Sequence, residues 1–194
     1  MTSPVTAAPL VGMVTVGTDH HRFDRLMDWI ERWQAGHPGA VRWVVQHGST
    51  RPLTGADNFG MTPRAELLEL LRAADLVVTQ GGPGGIMDSR ACGIVPIVVP
   101  RLARLDEVVD DHQVAFTRQL ARAGLVLAAE AEAELHAALD RAVADPAALA
   151  VGDNAHDVSR TVARFADEVN QLLVRKPART GRRSKARPPA RSSR

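Results

Sequence analysis

The sequence predicts an α/β fold, a Rossmann-like parallel sheet with helices on both faces. Three observations carry this. Apolar runs alternate with stretches of helical periodicity, the pattern of repeated strand–helix units. The apolar runs lack polar alternation, as expected of strands buried on both faces. One of these runs ends in a glycine-rich junction, Gly81, Gly82, Gly84 and Gly85, interrupted by Pro83.

Residues 11–16 form the first strand candidate, closed by Gly17. Phe23, Leu26, Met27, Ile30 and Trp33 then recur at helical spacing. "VRWVVQ" is a second strand, and residues 47–61 read as loop. Thr62 is the expected N-cap of a helix with Pro63 in its first turn and Leu67, Leu68 and Leu71 on its inner face. "LVVT" is a third strand. The glycine segment follows, then a short helix over 86–92. "IVPIVVP" is a fourth strand, 111–123 a helix, "LVLAA" a fifth strand and 130–144 a helix. A last helix places Val158, Val162, Phe165, Val169, Leu172 and Leu173 on one face. No sequence repeat is seen.

The 194 residues divide into one domain, 1–174, and a tail, 175–194. The tail holds nine of the 24 basic residues and no acid, which leaves 15 basic against 22 acidic residues elsewhere, a net of −7. The high isoelectric point therefore belongs to an appendage. Rich in Pro, Ser and Arg, the tail is expected to be disordered. It is expected to be either a solubilising terminus or an arm that binds anionic lipid or nucleic acid. No aromatics are interleaved, which argues against specific nucleic-acid binding. A lone cysteine, Cys92, excludes an internal disulfide framework and fits a reducing cytoplasm. It lies in an apolar helix pattern and is expected to be buried and inert. No apolar stretch reaches the ~20 residues that span a bilayer. No Lys or Arg precedes the first apolar run, so a signal peptide is not expected.

In parallel sheets ligands sit at the carboxyl ends of the strands. The loops there are 17–22, 47–61, 80–85 and 101–110. A glycine junction leading into a helix offers free backbone N–H groups at the positive end of that helix. A tight turn needs one or two glycines, and four point to close approach of an anion or sugar. The segment is not a Walker loop, since no G-K-[ST] follows, and the dinucleotide fingerprint belongs after the first strand. Asp88 falls one helical turn beyond Gly85. It is either a ribose-binding carboxylate or a first-turn acid favoured by the helix dipole. Gly17 and Thr18 offer a second phosphate site. In "DDHQ" the carboxylates suit helix capping, while His112 and Gln113 are candidates for sugar hydroxyls. His20 and His21 are expected to point apart in an extended segment, so no metal site is expected.

Taken in order, "VTVGT" with "FDRL" close behind, "VVQHG", "ADLVVTQGGPGG", "PIVVPR" and "DDHQ" resemble the C-terminal, donor-binding domain of glycosyltransferase family 28. The similarity runs over about 11–129 and is greatest to stand-alone soluble subunits of that type. The resemblance implies one half of a GT-B glycosyltransferase that takes a UDP-sugar and needs no metal or other cofactor. It implies that Gly17 and Thr18 lie near the diphosphate and that Gln80, Gly81, Gly82, Gly84 and Gly85 wrap the nucleotide. Asp88 would bind ribose, and Gln113 would contact the donor sugar. It also implies a membrane-anchored partner that binds a lipid-linked acceptor, hence a cytoplasmic chain held peripherally at the membrane. Three positions depart from the family's H-x-G-x-G-[ST]-x-x-E. Gln80 replaces His, Gly85 replaces a hydroxyl residue, and Asp88 replaces Glu with one methylene less reach.

Two functions of different class follow. One is an enzyme subunit transferring a hexosyl group from a UDP-sugar to a polyprenyl diphosphate acceptor, in cell-surface polysaccharide synthesis. Its catalytic base is not identified, and His20 is a candidate by position alone. The other is a non-catalytic nucleotide-sugar-binding regulatory module, which the altered Gln80, Gly85 and Asp88 would suit. A nucleotide-dependent dehydrogenase is a weaker third reading.

Overall fold

The structure is a computed structural model and describes residues 8–151. The expected last helix and the basic tail lie outside these residues. Six parallel strands form one sheet in the order β3-β2-β1-β4-β5-β6. They are β1 (Leu10–Thr15), β2 (Val41–Gln46), β3 (Asp57–Phe59), β4 (Leu76–Gln80), β5 (Ile97–Val99) and β6 (Leu127–Ala128). The helices are α1 (Asp24–Gly36), α2 (Arg64–Arg72), α3 (Pro83–Ala91), α4 (His112–Arg122) and α5 (Glu132–Ala144). Strand order reverses between β1 and β4. That is the switch point at which parallel sheets open a ligand crevice.

Alternate residues of each strand face opposite layers. Val14, Val45, Val78 and Val99 pack against the buried stripes of α1 and α5, including Leu26, Ile30, Leu135 and Leu139. On the other face Met13, Val44 and Val77 meet Leu71 of α2, and Val98 meets Ile86 of α3 with Phe116 and Leu120 of α4. Burial on both faces explains the unbroken apolar runs. Gly12 of β1 has a packing cause: a Cβ there would lie 2.6 Å from the Trp43 ring carbons and 2.7 Å from Val41.

The structure corrects several element boundaries. The segment 47–61 is not all loop, because Asp57–Phe59 adds a short edge strand beside β2. The fourth strand is cut to Ile97–Val99, since Pro96 cannot donate to a ladder. Thr62 does not cap α2: its hydroxyl donates to Glu66 Oε2 at 2.7 Å, and Pro63 occupies the cap position. The largest change is at α3, which starts at Pro83 rather than Ile86, so Gly84 and Gly85 are helical.

One ion-pair cluster fixes the loop after β2 onto α1. Arg51 donates to both Glu31 oxygens, at 2.8 and 2.7 Å, and to Asp28 at 2.6 Å. Those hydrogen bonds from Arg51 outweigh partial burial and hold the Glu31 carboxyl down at about 2. The Glu31 contribution is fully present above its unfolded value near 4.5 and is lost as pH falls from there through about 2. The Glu31→Gln variant is expected to be less stable by about 1 kcal/mol at pH 7, the scale of a half-exposed pair. That deficit should shrink as denaturation is repeated toward pH 2. A pH-independent deficit would mean the carboxylate charge is not what matters.

Candidate functional site

A cavity of about 350 Å³ opens at the carboxyl edge, over the β1–β4 switch point. Gly17, Thr18, Gln80, Gly82, Gly84, Gly85 and Asp88 all line it, so most of the expected site comes together. The glycines divide by cause. Gly17 has φ +75°, a left-handed conformation that favours glycine. At Gly81 a Cβ would sit 2.8 Å from Thr117 Oγ1 and 2.9 Å from Gln113 Cβ, so packing on α4 accounts for it. Gly82 is crowded by the Gln80 side chain, and Gly85 by the Thr79 hydroxyl at 2.6 Å. Gly84 is different. It is exposed in the first turn of α3, its φ is not positive, and nothing lies within 4 Å of a Cβ placed there. The fold gives no reason for glycine at this position.

Pro83 at the start of α3 lacks an N–H, while the following first-turn amides have no intrahelical acceptor. Beneath them lies the end of β4. Thr79 is fully buried, lines the cavity, and its Oγ1 has no hydrogen-bond partner among the described residues. Gln80 Oε1 is in the same condition. Buried polar atoms without partners are rare and need a cause. Here both lie at the mouth of a helix N-terminus. The hydroxyl absent at position 85 is thus present nearby, on Thr79. The floor also includes Gln46, which sequence reasoning missed. Its Oε1 accepts from Thr15 Oγ1 at 2.8 Å, and its Nε2 donates to Gly17 O at 3.1 Å, fixing the turn after β1.

Asp88 is buried and lies past the first turn of α3, so helix-dipole stabilisation does not account for it. Instead the Arg64 guanidinium grips it, Nη2 to Oδ1 at 2.6 Å and Nε to Oδ2 at 3.3 Å. The hydrogen bond to Asp88 raises the Arg64 pKa. Nothing in the spacing of residues 64 and 88 signals this pair.

His112 and Gln113 do not line this cavity. Gln113 is buried, and its Oε1 accepts from Gly81 N at 3.0 Å and Arg101 N at 3.1 Å, which ties the ends of β4 and β5 together. The backbone N–H of His112 donates to Asp110 Oδ1, and the His112 ring Nδ1 meets the same oxygen. Asp111 occupies the cap position of α4 without a side-chain cap bond, and its Oδ1 accepts from Ala103 N instead. Behind these loops Arg101 is fully buried. Its guanidinium donates to Val16 O, His21 O and Glu107 O at 2.8–2.9 Å and lies 4.8 Å from the Phe23 ring centroid. Burial lowers its pKa, with Asp19 and Glu107 pulling the other way.

A wider cleft of about 660 Å³ includes His20, His21, Arg25 and Glu107 in its lining. The two histidines do not splay as expected. Their ring centroids are 4.0 Å apart, and ligand atoms of Asp19, His20 and His21 lie within 4.8 Å of one another. His21 Nδ1 meets Asp19 Oδ1 at 2.7 Å, so the cluster is a hydrogen-bonded loop backed by Arg101. Partial burial would raise the Asp19 pKa, but the His21 hydrogen bonds and the Arg101 charge leave it lowered. His20 is 86% exposed at its side chain. Of the two, His21 has the orienting carboxylate. Cys92 is half-buried rather than buried, and that burial raises its thiol pKa, as an inert cysteine requires.

None of the curated proteins matches this chain. Among solved structures it is similar to the glycosyltransferase of kitacinnamycin, with TM-score 0.55 and 22% identity over 88% of this chain and 44% of that one. It is also similar to CalG4, the calicheamicin glycosyltransferase, with TM-score 0.53 and 21% identity over 91% of this chain and 45% of that one. The chain thus spans less than half the length of these GT-B proteins and has the fold of one Rossmann-like half. The model of the glycosyltransferase family 28 C-terminal domain matches residues 13–169, and the chain belongs to that family.

Proposed function

We propose that this chain is the donor-binding part of a glycosyltransferase that takes a UDP-sugar. The hexosyl group passes to a polyprenyl diphosphate acceptor held by a membrane-anchored partner subunit, in cell-surface polysaccharide synthesis. One observation carries the donor site. At the switch point, an open glycine turn at Gly84 lies in one cavity with the unpartnered Thr79 hydroxyl and the buried Asp88 carboxylate. In this reading the diphosphate rests on the first turn of α3 and ribose hydroxyls donate to Asp88. As the bond from the sugar to the diphosphate breaks, negative charge grows on the leaving group. Backbone N–H groups fixed at the helix end stabilise that charge without rearranging. No helix among the described residues is long and apolar enough to cross a membrane. In this reading the partner contacts the acceptor, and the basic residues 175–194 contact anionic lipid.

Thermal unfolding with UDP and with NAD tests the donor class. A ligand at 100 times its Kd stabilises by about 2.7 kcal/mol, so UDP is expected to raise the Tm by several degrees and NAD to leave it unchanged. A shift with NAD alone would favour a dehydrogenase. Gly84→Ala tests the turn. Replacing a helical glycine without strain is expected to stabilise by about 0.5 kcal/mol, while the added methyl lowers UDP affinity at least tenfold by calorimetry. Unchanged affinity would remove the α3 turn from the site.

A further inference from the structure

We infer that Arg64 is the side-chain counterion of the donor's diphosphate and that it leaves Asp88 to reach it. This rests on the donor-site reading and adds a residue to it. Among the described residues lining the cavity, Arg64 is the single cation and Asp88 the single anion. Without ligand the two neutralise each other. A nucleoside diphosphate brings at least two negative charges beside the Asp88 carboxylate, and helix α3 offsets only about half a charge. The remaining repulsion needs a mobile cation. Arg64 meets that need. Its side chain is 72% exposed, it is anchored at the first residue of α2, and among the described residues its side chain donates to Asp88. Asp88, by contrast, is buried. Ribose hydroxyls that donate to Asp88 take over the satisfaction of its oxygens, and the planar guanidinium fork suits phosphate oxygens equally well.

Two ligands separate this role from a merely structural ion pair. Calorimetric titrations would use uridine and UDP with the full chain and with Arg64→Gln and Arg64→Lys. Arg64→Gln is expected to weaken UDP at least tenfold while uridine binds as well as before or better, because competition for Asp88 is gone. Arg64→Lys should recover part of the UDP loss, and the salt dependence of UDP binding should fall in Arg64→Gln. Thermal unfolding confirms that each variant is folded. Equal losses for uridine and UDP would overturn the proposal and leave Arg64 as a support for Asp88. Unchanged UDP affinity would overturn it as well. Absence of UDP binding by the unaltered chain would overturn the donor-site reading and this proposal together.

Discussion

Mixed with a UDP-sugar and a polyprenyl diphosphate acceptor, these 194 residues are expected to transfer essentially no sugar. The described elements are used up by one sheet and its two helix layers. They form one Rossmann-like half, and the similar GT-B proteins are about twice as long. A donor bound to this half alone meets an acceptor only by diffusion. Holding both reactants in line is worth roughly 7–11 kcal/mol of barrier, or about 10⁵–10⁸ in rate. Adding the proposed acceptor-binding partner in membranes should restore turnover by a factor of that order. The assay counts radiolabelled lipid product with and without partner. Multiple turnovers by the purified chain would contradict the proposed division of labour.

The second large effect is on stability. Arg101→Met is expected to cost about 3 kcal/mol or more, because two buried carbonyls and a partly buried one lose charge-assisted donors and each unsatisfied buried group costs about 1–3 kcal/mol. Val16 O, His21 O and Glu107 O belong to the loops that border both cavities. Loss of the guanidinium should therefore loosen the carboxyl edge before the distant layers. Urea denaturation measures the total, and hydrogen exchange locates it. Arg101→Lys keeps the charge but not the fork, and it should recover only part of the loss. A change below 1 kcal/mol in Arg101→Met would show that water replaces the guanidinium at little cost.

Local pattern accounts for what was legible in the sequence. The stripe from Phe23 to Trp33 and the unbroken runs of β1, β2 and β4 mark elements whose burial is set by their own residues. Strand β3 was hidden because Asp57 and Asn58 are polar and the strand has one neighbour, β2. The start of α3 was hidden because two glycines oppose helix propensity. Pro83, which suits the first helical position, was the signal to weigh more. Gly17, Thr18, Gln80, the glycine turn and Asp88 were placed together by topology alone. Arg64, Gln46 and the bridging role of Gln113 depend on contacts between distant segments, 24 residues apart for Arg64–Asp88 and 31 for Thr15–Gln46. No spacing rule reports such pairs. The hydrogen bonds of His112 to Asp110 and of Gln113 to two backbone amides were hidden in the same way.

Amide NMR of the ¹⁵N-labelled chain titrated with UDP tests the donor site most directly. Saturable shifts are predicted for Thr79, Gly82, Gly84, Gly85 and Asp88, around the cavity at the β1–β4 switch point. Residues Val41, Arg42 and Gly55, which line a separate cavity, should stay in place. Saturable shifts centred on those residues, or no saturable shift at all, would contradict the assignment of this chain as the donor-binding half.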